Sequence, residues 1–321
     1  MKLPRLLRTP PPSVALDISA RHVAAVEMSG GPEAGFRVAN YAIEPLAEGV
    51  VVPSLNESNL ARPADLKEAI QRVWGRLGSR PKRVALVVPD ALAKVSFVRF
   101  QQVPSRAADL DQLIKFQIRK SAPFRIEDSQ ISYRKGLETG EGQEFVVVQA
   151  RRDLVGEYEA ACLASGATAG VVDLATFNVA NAVLAGDAGL RGDWLLVHVT
   201  PDGASLAVFR GRDLAFFRHR GSDADGNLGD VVHQTAMFYQ DRLGGAGFAR
   251  VLMAGGAQPD GQQSARKTIE ARLGRSVEAV DPMNATAFAE RTTLPGELAD
   301  ALAAAIGLAV SQWGADGNRS A

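Results

Sequence analysis

From Val14 the chain sets short apolar runs against polar turns. Val14-Ala15-Leu16-Asp17-Ile18 reads as a strand with an acid near its end, followed by the turn Ser19-Ala20-Arg21. His22 to Met28 then alternates at a period of two, with Val23 and Ala25 on one face and Ala24 and Val26 on the other. Gly30-Gly31-Pro32 breaks that run, and Phe36 to Ile43 reads as a third strand. The layout returns about 180 residues later. Trp194 to Val199 is a strand, Thr200-Pro201-Asp202-Gly203 a turn, and Ala204 to Arg210 the returning strand. Gly211-Arg212-Asp213 turns again into Leu214 to His219. Two antiparallel meanders in one chain predict a duplicated α/β core.

Helical spacing fills the intervals. Asp65 to Leu77 carries Leu66, Ile70, Val73, Trp74 and Leu77 on one face, with Asp65 and Glu68 as start signals and Gly78 as the stop. Ser105 is placed to cap a helix bearing Leu110, Leu113 and Ile114 that ends before Pro123, and Asp153 to cap Leu154 to Ser165. Leu174 to Leu184, Asp230 to Leu243 and Glu297 to Trp313 are further helices. Buried strands are read at 84–88, 145–148, 170–172 and 250–253.

Composition narrows the function classes. Thirty-six basic residues balance 36 acidic ones over 321 residues, so nucleic-acid binding by bulk charge is not expected. The single cysteine, Cys162, excludes an internal disulfide and a CxxC metal knuckle. The longest apolar run, Ala301 to Val310, is far short of the roughly 18 residues of a spanning helix, and the basic N-terminus lacks a signal-peptide core. A cytoplasmic protein is expected, reaching a membrane only through a partner. Residues 1–12, with Pro10-Pro11-Pro12, read as an extended arm, and 314–321 as a frayed tail.

Catalytic signals are thin. His22, His198, His219 and His233 have no HxxxH or HExxH spacing, and neither GxSxG nor GxxxxGK[ST] occurs. What remains is the pair of strand–turn–strand units and Val251-Leu252-Met253-Ala254-Gly255-Gly256, a strand ending in glycines that let a backbone approach a flat ligand. Gly-Gly in that place also serves as an ordinary turn. Asp17 is equally suited to capping its own turn, and His198 to a satisfied core or interface position.

The order of these pieces resembles the actin/Hsp70/sugar-kinase superfamily: Asp17 in the first turn, Val172-Asp173-Leu174 opening a helix, His198 to Asp202 in the second turn, Gly255-Gly256, and Ala303 to Ala309 near the end. Within it the chain is similar to the PilM family, the actin-like cytoplasmic component of type IV pilus assembly. Three stretches carry the narrower resemblance: "VALDISARHVAAVEM" (14–28), "PSRAADLDQLIKFQIRKSAPF" (104–124), and the strand, Arg-Asp helix and "VVD" segment of 145–184.

The resemblance implies an actin-like (ribonuclease-H-like) α/β fold of two lobes. Lobe 1 is placed at 13–79, an inserted subdomain at 80–165, a connecting strand and helix at 166–185, lobe 2 at 186–296 and a returning helix at 297–313. It implies a scaffold that binds the cytoplasmic N-terminal segment of a PilN-like single-span membrane protein, alongside other pilus assembly proteins, with self-association left open. The family's peptide groove lies between the first lobe and the inserted subdomain, and Phe97, Phe100, Leu113, Phe116 and Phe124 are its candidate lining here, or core. ATP would meet Asp17, Ser19, Ala20, Arg21, Thr200, Asp202, Gly203, Gly255 and Gly256, with Asp17 toward magnesium. The pattern departs from the family at Ser19, where a Gly is usual, and at His198 and Thr200, where Asp and Gly are usual. Imidazole does not replace a hard anionic oxygen ligand, so ATP and magnesium are expected to bind weakly or not at all. The alternative is an ATPase or small-molecule kinase of the same superfamily.

Overall fold

The computed structural model describes residues 10–31, 35–187, 189–222, 227–256, 259–288 and 294–318. Most of the expected arm, 1–9, and the last residues of the expected tail, 319–321, lie outside the described residues.

The first half opens with β1 (Val14–Ile18), β2 (His22–Gly31) and β3 (Gly35–Pro45), an antiparallel meander. Helix α1 (Pro63–Leu77) leads to β4 (Arg83–Val88), which pairs parallel with β1. After an insertion come α3 (Arg152–Ala164), β8 (Thr168–Leu174), parallel to β4, and α4 (Ala175–Gly186). The second half repeats the sequence of elements. β9 (Asp193–Thr200), β10 (Gly203–Arg210) and β11 (Asp213–Gly221) form a meander. Then follow α5 (Leu228–Leu243), β12 (Arg250–Gly255) parallel to β9, α6 (Pro259–Leu273), the short β13 (Glu278–Ala279), β14 (Ala287–Phe288) and α7 (Gly296–Asn318). The two sheets run β14-β3-β2-β1-β4-β8 and β11-β10-β9-β12-β13, so the expected duplication is realised in strand order. β14 adds to the edge of the first sheet from the second half.

Each strand run has its physical counterpart. All five residues of β1 are buried because both faces of its sheet are covered. Leu16 and Ile18 meet α1 and α3, while Ala15 faces the layer shared with α4 and α7. That middle layer joins the halves. Gly307 allows it: a Cβ there would stand 1.7 Å from the Asn178 carbonyl oxygen of α4. The run Ala303 to Ala309 is therefore close helix packing. Cys162 is buried in the core beneath α3, where burial pushes its thiol up to about 12.

Three expectations shift. A third sheet, β5 (Ala93–Phe100), β7 (Gly142–Arg151) and β6 (Ser129–Thr139) in the order β5-β7-β6, spans 93–151 together with α2 (Ala107–Ile118). This is narrower than 80–165, because β4 sits between β1 and β8 and α3 packs against α1. The helix starts also move. α1 begins at Pro63, whose fixed φ suits the first helical position, and α2 has no side-chain cap from Ser105. The last helix continues through Asn318, beyond the expected stop at Trp313. Trp313 Nε1 donates to the Pro12 carbonyl at 3.0 Å and Arg83 to that of Pro10 at 2.9 Å, tying the end of the arm to the body. Among the described residues no helix is long and apolar enough to cross a membrane.

Candidate functional site

The β1–β2 turn is closed on itself. Ser19 Oγ accepts the backbone N–H groups of Arg21 (3.2 Å) and His22 (3.0 Å), and the Ser19 N–H and the hydroxyl both donate to the His22 carbonyl. Two amides at the tip, where Ala20 is half-buried and Arg21 exposed, are thereby used internally. A backbone anion receptor needs such groups open. Asp17 is buried, and its Oδ2 lies 3.5 Å from His22 Nε2. Among the described residues no three His, Cys, Asp or Glu side chains are grouped to hold a metal ion.

The β9–β10 turn is likewise occupied. Thr200 Oγ1 donates to the Gly203 carbonyl, and the Asp202 carbonyl accepts from Ser222. Gly203 has φ 148°, and a Cβ there would stand 2.0 Å from the Arg220 carbonyl oxygen of β11. At the end of β12 a Cβ on Gly255 would stand 1.8 Å from the Val199 carbonyl oxygen. The Gly255 N–H donates to Asp300 of α7 at 2.7 Å, and that of Gly256 to Val199 at 3.0 Å. These glycines are thus required by neighbouring strands. Of these groups the Arg21, His22, Gly255 and Gly256 amides are engaged within the protein, and Asp17 faces an imidazole.

A polar cluster lies where the halves meet. Asp90, in the short 3-10 turn Asp90–Leu92 after β4, accepts from the Thr176 backbone N–H (3.0 Å), the Thr176 hydroxyl and the Ser205 hydroxyl (2.7 Å). Thr176 Oγ1 is 2.9 Å from His198 Nδ1, and Ser205 Oγ is 2.9 Å from His219 Nδ1. Burial pushes the Asp90 carboxyl up, but His198, then His219 and the Thr176 hydroxyl, outweigh it and hold the group below its ordinary value. Burial pushes the His198 imidazole down, and Asp90, then Asp300 and Asp17, outweigh that and hold it above. Asp90 carries no signal in the sequence, since its partners are remote along the chain and Pro89-Asp90 looks like an ordinary turn.

A groove of about 840 Å³ opens beside the inserted sheet. β6 and β7 form one wall with Tyr133, Val146 and Val148; β8 and α4 form another with Val171 and Phe177. Leu214 of β11 is also on its lining. β6 and β8 are each the outer strand of their sheet. Arg134, Lys135 and Arg212 stand on its lining beside Asp173 and Asp213. Burial raises the Asp173 carboxyl above its ordinary value.

None of the five predicted lining residues belongs to this groove. Phe97 is half-buried against the middle layer, and Phe100 packs on Phe145 with ring centroids 5.9 Å apart. Leu113 and Phe124 are half-buried, and Phe116 is 71% exposed on α2. The β6 residues on the groove, Ser132 to Gly136, are mostly polar or small and carry no apolar alternation that would mark it in the sequence.

Comparison with known proteins sharpens the picture. No curated protein sequence matches the chain. A solved "PilM-PilN type IV pilus biogenesis complex" matches with a TM-score of 0.80 at 17% identity, covering 94% of this chain and 98% of that one. A Bacteroides thetaiotaomicron protein with an actin-like ATPase fold matches with a TM-score of 0.53 at 7% identity, covering 88% and 97%. These likenesses establish an actin-like fold of two lobes. The family model of type IV pilus assembly protein PilM matches residues 15–222, well over half of the chain. The chain belongs to the PilM family of type IV pilus assembly proteins.

Proposed function

We propose that this chain is a cytoplasmic scaffold of a type IV pilus or related secretion platform, peripheral at the inner membrane, and that it holds the cytoplasmic N-terminal segment of a PilN-like single-span protein. The groove between β6 and β8 carries the reading. Its lining includes valines and aromatics, and it is bordered by two outer strands that offer backbone groups to an extended segment. The solved PilM-PilN complex supports a partner of that kind. The occupied turns at Ser19 and Gly203 favour holding over hydrolysis, so ATP with magnesium is proposed to bind weakly if at all.

A titration of the partner's N-terminal peptide tests this. Leu214→Glu places a charge in the groove and is expected to weaken binding at least tenfold, about 1.4 kcal/mol, with circular dichroism unchanged. Wild-type affinity in a folded Leu214→Glu protein removes the groove from the reading.

A further inference from the structure

His198, Ser205 and His219 stand side by side across β9, β10 and β11, Ser205 being the register partner of both histidines. Asp90 reaches this row from the other half of the molecule, and Thr176 joins it from the first turn of α4. Neither the actin-like fold nor partner docking requires such a buried ionic contact, and burying it is costly unless it is fully hydrogen-bonded.

The hydroxyl protons define its state. Thr176 Oγ1 has one proton and two polar neighbours, Asp90 Oδ2 and His198 Nδ1. An ionised carboxylate only accepts, so the hydroxyl donates to Asp90 and His198 Nδ1 carries hydrogen. By the same logic Ser205 donates to Asp90 and accepts from His219 Nδ1. The imidazoles differ at their other nitrogen. Among the described residues His219 Nε2 is buried without a hydrogen-bond partner, so a proton there would be an unpaired buried donor. The His198 side chain keeps 12% exposure, and its Nδ1 is 3.8 Å from Asp90 Oδ2.

The remaining charged neighbours of His198 are also acidic. Asp17 acts on it from β1 and Asp300 from α7, while β12 presents only Ala254 opposite it. His22 of β2 lies against Asp17, and His219 of β11 acts on Asp90. We propose that His198 is held as an imidazolium and is the resident cation of the seam, a proton-controlled clamp joining Asp90 of the first half to the sheet of the second.

The sign follows from linkage. A folded value raised above the ordinary 6.5 means that the clamp is complete below about 6.5 and is lost as pH rises through the higher folded value. Asp90 works oppositely: its contribution is present above the ordinary carboxylate value of 3.8 and is lost as pH falls through its lowered one.

Urea unfolding of the full chain between about pH 6 and pH 9 spans the imidazole range and tests the clamp. The wild-type unfolding constant should rise about tenfold for each unit by which the folded value exceeds 6.5. His198→Gln should abolish that slope, and His219→Gln should keep it. A slope that persists in His198→Gln, or vanishes only in His219→Gln, overturns the proposal. Should His198→Gln fail to fold, an NMR titration of the wild-type imidazole signals decides. A signal assigned to His198 that titrates above about 6.5 supports the clamp. Titration of His198 at or below the ordinary value overturns it.

Discussion

Asp90 is among the few buried charged residues, and each of its neighbours leans on it. Removing the carboxylate leaves the Thr176 N–H and hydroxyl and the Ser205 hydroxyl without their acceptor, and takes away the counter-charge 3.8 Å from His198 Nδ1. Asp90→Ala is therefore expected to destabilise the protein by about 3 kcal/mol, read as a lower urea midpoint at neutral pH. The variant should also lose the acid limb that Asp90 supplies in the wild type, where stability falls as pH drops below the carboxylate range. An unchanged acid limb would assign that limb to other carboxylates. Asp17 is different in kind. Among the described residues its buried side chain has His22 at 3.5 Å as ion-pair partner, a looser contact than the three hydrogen bonds that hold Asp90.

At the scale of elements, periodicity made the meanders, six of the helices and the buried parallel strands legible. It did not reveal α6, whose sequence PDGQQSARKTIEARL offers little apolar surface, with Ile269 fully buried among mostly polar neighbours. β13 and β14 have two residues each and exist only through their pairing. The limits of the third sheet were hidden for a related reason: Val84 to Val88 reads as a buried strand whichever sheet receives it. Within the site, the turns were placed correctly, but a sequence does not say which amides a serine will satisfy. Phe97 and Phe100 are both candidates for one groove surface, yet strand alternation sends them to opposite faces. Phe116 tests what is left of that surface. Being 71% exposed on α2, Phe116→Ser is expected to shift stability by no more than about 0.5 kcal/mol. Its partner-peptide affinity should match the wild type if the groove is the docking site, and a tenfold loss would move docking onto α2.

The whole molecule is two copies of one strand order sharing a middle layer, with a third sheet inserted in the first copy. In such an arrangement a nucleotide phosphate is reached by the turns β1–β2 and β9–β10, one from each copy. Both are occupied here by their own side chains and strands. Ser19 takes two amides in the first, and the backbone of β11 fills the space at Gly203 in the second. Phosphoryl chemistry depends on positioned donors and a metal that neutralises developing charge. His198 occupies the second strand beside Asp90, so the charge placed there is already paired within the protein. Phosphate release from ATP with magnesium is accordingly expected to fall far below about 1 per second, the lower end of ordinary turnover. The same assay on Asp17→Ala controls for contamination, since residual activity shared by both proteins does not belong to this cleft. Turnover of several per second that Asp17→Ala abolishes would show that the turns rearrange on binding, and would favour the ATPase reading over the scaffold.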